Sequence, residues 1–112
     1  MKKNEAPLLH TDQLATCQLI GARLSRLRKA RRKLQSEAAL RAGLSRATAV
    51  RIEAGDPGRT LGQILRYLEA IAPGTSLQQL INASDPALVA LEQAEQTQRV
   101  RLSPAQHKAL DF

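Results

Sequence analysis

Arg46 and Arg51 are the two side chains of this sequence best suited to chemistry on the edge of a base pair. They stand in Ser45-Arg46-Ala47-Thr48-Ala49-Val50-Arg51-Ile52-Glu53-Ala54-Gly55. At helical spacing, Arg46, Ala47, Val50 and Arg51 share one face, while Ala49, Ile52 and the stem of Glu53 share the other. A guanidinium can fork onto guanine O6 and N7, and alanine or valine can touch a thymine methyl. A face with two arginines and two small apolar groups therefore fits a helix that reads a major groove. It also fits an ordinary solvated basic face, and the spacing alone leaves both open.

The neighbouring residues define the helix that would carry that face. Ser45 is a good N-cap, because its hydroxyl can accept a free backbone N–H of the first turn. Gly43 can take the left-handed conformation that ends a preceding helix, and Gly55 can do the same for this one. Before Gly43, Leu34-Gln35-Ser36-Glu37-Ala38-Ala39-Leu40-Arg41-Ala42 reads as a short helix of small residues, which allows two helices to approach closely. A longer helix precedes it, with Thr11 or Asp12 as cap, Leu14, Ile20, Leu24 and Leu27 inward, and Gly21 as a possible interruption.

Charge singles out the same region. The chain has 112 residues and a net charge of +7. Residues 21–34 alone supply seven cations and no acid: Arg23, Arg26, Arg28, Lys29, Arg31, Arg32 and Lys33. A local basic patch beside an arginine-bearing helix suits a phosphate backbone, with an acidic protein surface as the other possibility. Arg23, Arg31, Arg32, Lys33 and Arg41 are the candidate phosphate contacts.

After Gly55, Asp56-Pro57-Gly58-Arg59 is a turn. Thr60 with Gln63 and Ser76 with Gln79 are capping boxes for two further helices. The first carries an apolar stripe of Leu61, Ile64, Leu65, Leu68 and Ile71; the second carries Leu77, Leu80 and Ile81. Tyr67 and Phe112 are the aromatic residues, so an aliphatic core and an all-α fold are expected. The expected organisation is a flexible arm over residues 1–10, a compact five-helix domain over 11–82, and an extension over 83–112. In the extension, Asp85-Pro86 starts a helix carrying Leu88 and Leu91. Gln96-Thr97-Gln98 is expected to fray, Arg99-Val100-Arg101-Leu102 alternates like a short strand, and Ser103-Pro104 opens another possible helix ahead of Leu110.

Catalytic chemistry finds little material. His10 and His107 are isolated, Cys17 is the single cysteine, and the acids are scattered. No nucleophile motif or glycine-rich phosphate loop is present. The expectation is a non-enzyme with no cofactor and no metal. The lone cysteine and the lack of a long apolar run fit a cytoplasmic, nucleoid-associated protein without a membrane span. Lys2 and Lys3 precede no apolar stretch, so no signal peptide is expected.

With these pieces in place, residues 20–82 resemble the phage-repressor (Cro and Xre-type) helix-turn-helix family. The likeness rests on Leu27-Arg28, Gln35, Ala39, Gly43, Ser45, Arg51-Ile52-Glu53 and Gly55. It implies a five-helix domain that binds operator DNA as a homodimer. It also implies DNA contacts at Gln35, Ser45, Arg46, Ala47 and Arg51, to which Thr48 and Val50 are added here, and an Arg28–Glu53 ion pair behind the reading helix. The chain departs from the family pattern at Leu34, Ala38, Leu40, Ala49 and Val50. A narrower resemblance, through Gly55-Asp56-Pro57-Gly58 and the tail, is to HipB-like antitoxins, which implies a HipA-type kinase toxin as partner. The competing expectations are a stand-alone regulator and a protein-interaction module that has lost DNA binding. An RNA-binding version would lack the aromatic stacking residues such proteins favour.

Overall fold

Helix α1 spans Thr11–Ala30 and passes through Gly21 without a break. Gly21 is buried, and a Cβ there would stand 2.6 Å from both the Gly55 amide nitrogen and the Ile52 carbonyl oxygen. Close packing, not an interruption, explains the glycine. The computed structural model describes residues 5–110, with side chains through residue 100. Residues 1–4, Phe112, and the side chains of Leu102, His107 and Leu110 lie outside the described set. The N-cap of α1 is His10, one residue before the expected caps, and its N–H donates to Gln13 Oε1 at 2.9 Å. Within the arm expected to be loose, Ala6–Leu8 form a 3-10 turn with proline in its first positions.

Helix α2 covers Gln35–Ala42 and α3 covers Arg46–Glu53. Gly43 between them adopts φ 69°, and the Leu44 N–H returns to the Ala39 carbonyl at 2.9 Å, closing α2 as a Schellman-type end. Leu34 starts α2 without a hydroxyl, and the Glu37 carboxylate accepts the Leu34 N–H at 3.1 Å instead. Helices α4 (Leu61–Ile71) and α5 (Leu77–Ile81) open with the two expected capping boxes.

These five helices bury Leu24, Leu27, Ala38, Ala39, Ala42, Ala49, Ile52, Leu68, Ile71 and Leu80 together. Three alanines on α2 let it pack against both α3 and α4. The fold is all-α, and no strand occurs among the described residues.

The sixth helix alters the expected organisation of the tail. α6 runs Pro86–Leu110 and takes in Gln96–Gln98, the alternating Arg99–Leu102 and Ser103-Pro104. Neither the fraying, the strand nor the separate helix start is present. Once a helix is nucleated, each further residue adds cheaply, and Glu, Gln, Arg and Ala are good helix formers. Nucleation comes from Asp85, whose carboxylate accepts the Ala87 N–H at 2.9 Å and the Leu88 N–H at 3.4 Å. Leu88 is 1% exposed and belongs to the core, which therefore continues past residue 82.

Candidate nucleic-acid interface

Helix α3 is held from behind by one carboxylate. Glu53, at its last position, accepts from Arg28 Nε at 2.7 Å and Arg28 Nη2 at 3.1 Å, and the Tyr67 hydroxyl donates to the same carboxylate. Arg28 Nη1 also donates to the Lys33 carbonyl at 2.9 Å. The α1–α2 turn, α1, α3 and α4 are thus tied together at one point. The Arg28 and Glu53 side chains are 12% and 8% exposed, so this pair is shielded from solvent. Burial raises the affinity of the Glu53 carboxyl for a proton, but hydrogen bonds from Arg28 and Tyr67 outweigh it and hold the group below its ordinary range. Burial and the adjacent Glu53 charge push the Tyr67 hydroxyl well above its ordinary value. The Arg28–Glu53 pair is the one the family resemblance implied; Tyr67 was not expected there. A fully buried tyrosine needs a partner for its hydroxyl, which was the available signal.

The front of α3 is open. Arg46, Ala47, Val50 and Arg51 are exposed, with Val50 at 46%, while Ala49 and Ile52 are buried. Neither the Arg46 nor the Arg51 side chain has an internal hydrogen bond or ion pair among the described residues. Ser45 acts as the cap, its hydroxyl accepting the Thr48 N–H at 3.1 Å and donating to Thr48 Oγ1 at 2.9 Å. Thr48 is half-buried, and its hydroxyl is engaged with Ser45. Gln35 stands half-buried at the first position of α2.

The basic run over residues 21–34, in the second half of α1 and the turn after it, divides between internal braces and exposed cations. Arg23 Nη1 donates to the Leu80 carbonyl at 3.4 Å, and Lys33 Nζ donates to the Ala70 carbonyl at 3.0 Å. Arg31 pairs with Asp85 at 3.0 Å, and Arg26 pairs with Glu95. Burial alone would raise the Asp85 pKa, but bonds from Thr75, Arg31 and the Ala87 amide lower it overall. Three of the five candidate phosphate contacts, Arg23, Arg31 and Lys33, therefore hold α5, α6 and α4 in place. Arg32 and Arg41 are exposed, as is Lys29. Sequence spacing placed these cations on one segment but could not show which acids and carbonyls the fold would bring against them.

Cys17 is half-buried in a cavity of about 190 Å³ beside Ile20, Ile52, Gly55 and Ile64, next to the end of α3. Among the described residues, no three His, Cys, Asp or Glu side chains gather as a metal site. No helix among them is long and apolar enough to cross a membrane. Compared with protein-family models, with curated proteins and with solved structures, the chain finds no match.

Proposed function

We propose that the chain is a sequence-specific double-stranded DNA-binding repressor, acting as a homodimer on a roughly palindromic operator through a phage-repressor-like helix-turn-helix. The observation that carries this reading is the division of α3 into two faces. Its back is fixed by Ala49, Ile52 and the Arg28–Glu53 pair, while Arg46 and Arg51 are exposed and their side chains have no internal partner among the described residues. A rigid helix presenting unengaged guanidiniums is what bidentate guanine recognition requires. One such helix covers only a few base pairs, so a dimer with its helices about 34 Å apart supplies the remaining specificity. The long α6 supports a narrower version of the proposal: an autoregulating antitoxin whose tail docks a HipA-type kinase.

A second reading, an interaction module without DNA binding, draws on Leu34 and Leu40 of the α2 segment, which are 64% and 81% exposed. Selection from a random duplex library separates the two. Enrichment of an inverted repeat supports the repressor. Recovery of no preferred sequence, with binding indifferent to salt, leaves the interaction module.

A further inference from the structure

Arg66, on α4, does not belong to the motif that suggested DNA binding, yet it reaches the turn that introduces α3. Its Nη1 lies 3.7 Å from where a Cβ on Gly43 would stand. Gly43 is two residues from Ser45, the cap of α3. Arg66 and Arg41 are both exposed and border one surface depression of about 340 Å³, with Ala42, Glu69, Ala70 and Pro73. Neither arginine has a carboxylate within ion-pair distance among the described residues. The one acid in the depression, Glu69, accepts the Gly74 N–H at 3.3 Å. Arg26, Arg28 and Arg31, by contrast, all have carboxylate partners inside the molecule. The fold therefore neutralises three cations of the basic run, while Arg41 and Arg66, which border the same depression, have no carboxylate partner among the described residues.

Two cations bordering one depression repel each other, and an anion bound there is attracted by both. We infer that Arg66, with Arg41, clamps a backbone phosphate of the same duplex that α3 reads. This inference rests on the proposed DNA-binding function and adds a contact from outside the helix-turn-helix segment. Phosphate contacts fix orientation and carry no sequence information, so the clamp acts equally on every sequence. Its neighbourhood to the Ser45 cap would set how far α3 enters the groove.

The test is a salt titration of full-length protein on two duplexes, one selected for preference and one scrambled. Each neutralised phosphate contributes about 0.9 to the slope of log affinity against log salt. Arg66→Ala should lower that slope by about one unit, equivalent to an affinity loss of about eightfold at 0.1 M salt, on both duplexes alike. Arg66→Lys, which keeps the charge, should retain the slope while losing part of the affinity. A wild-type slope and affinity for Arg66→Ala overturns the clamp while leaving the repressor reading intact. A lowered melting temperature with an unchanged slope also overturns it, by making Arg66 a brace for the end of α2. If wild-type protein binds neither duplex, the clamp and the repressor reading fail together. If it binds both equally, specificity fails and the clamp is still decided by the slope.

Discussion

Gly21 and Gly55 meet where α1 passes the end of α3, so close that neither position has room for a side chain. A Cβ on Gly21 would lie 2.6 Å from the Gly55 nitrogen, and a Cβ on Gly55 would lie 2.6 Å from the Gln18 Cα. Gly55 also holds φ 81°, a conformation that favours glycine. This contact sets how far the end of α3 stands from α1. Glycine to alanine in a helix interior ordinarily stabilises by up to about 1 kcal/mol. Gly21→Ala should have the opposite sign, because the clash is with backbone atoms that cannot rotate away. A loss of about 1–3 kcal/mol is expected, typical of overpacking, together with weaker DNA binding as α3 shifts. Chemical denaturation checks the sign, and a stabilised Gly21→Ala would show that the two helices separate easily.

Glu53 should be the most sensitive charged position. Removing it leaves the Arg28 guanidinium and the Tyr67 hydroxyl shielded from water without their acceptor. Glu53→Ala is expected to cost about 3–5 kcal/mol. Tyr67→Phe, which removes one donor to a charged acceptor, should cost about 1.5–3 kcal/mol. Combining the two should give less than the sum, since both act on one network. An unchanged melting temperature for Glu53→Ala would show that the pair does not brace the fold.

The α-helical class and the α2–turn–α3 unit were legible because they rest on local signals: Ser45, Thr60 and Ser76 as caps, Gly43 at a left-handed position, and apolar residues at helical spacing. The tail was not, because its outcome depends on partners far away in sequence. Asp85 caps α6, and it is buried and bonded to Arg31 and Thr75 only once the end of α1 and the turn before α5 are in place. The same limit applied to the candidate interface. The open face of α3 followed from spacing, whereas the internal use of Arg23, Arg31 and Lys33 required the carbonyls of Leu80 and Ala70 and the Asp85 carboxylate.

Stability should fall at both ends of the pH range, for different residues. Glu53 and Asp85 have carboxyls held below their ordinary values. The unfolded chain therefore binds more protons between those lowered values and an ordinary carboxylate pKa of about 4. Stability contributed by these groups is present above that range and is lost as pH falls through the folded values. Tyr67 is shifted upward. Its contribution is full below the ordinary tyrosine pKa of about 10 and is lost as pH rises beyond it. Unfolding measured across pH should show both arms. Tyr67→Phe should flatten the alkaline arm and, by removing one donor that lowers the Glu53 carboxyl, also weaken the acid arm; an alkaline arm that persists in that variant would assign it elsewhere.

At the candidate interface, Arg51 and Ser45 should separate by the kind of loss they cause. Arg51 is exposed and has no ion-pair partner among the described residues, so Arg51→Ala should leave the melting temperature in place and, on the proposed function, cost about 1–3 kcal/mol of DNA binding and relax preference at one base pair. Ser45 caps α3 and holds the Thr48 hydroxyl, so Ser45→Ala should lose about 1 kcal/mol of folding stability. Binding by Arg51→Ala that weakens equally on all sequences would make Arg51 a phosphate contact.

The last prediction concerns where α6 stops serving the fold. A chain ending at residue 82 would lose Leu88 from the core, and burying a leucine contributes about 1.5–3 kcal/mol. It would also lose Asp85, which Arg31 and Thr75 bind. That truncation should melt earlier than the full chain and cannot by itself show what the tail binds. A chain ending at Gln96 keeps Asp85, Leu88 and the Glu95 partner of Arg26. It should match the full chain in melting temperature and DNA affinity. If the distal part of α6 is a docking segment, this shorter chain should fail to capture a HipA-type kinase encoded beside it, while full-length protein captures it. Equal capture by both chains would place any docking surface on the folded helices instead. A shorter chain that becomes monomeric and loses its DNA affinity would make the distal part of α6 a dimerisation element, with the stand-alone repressor as the remaining reading.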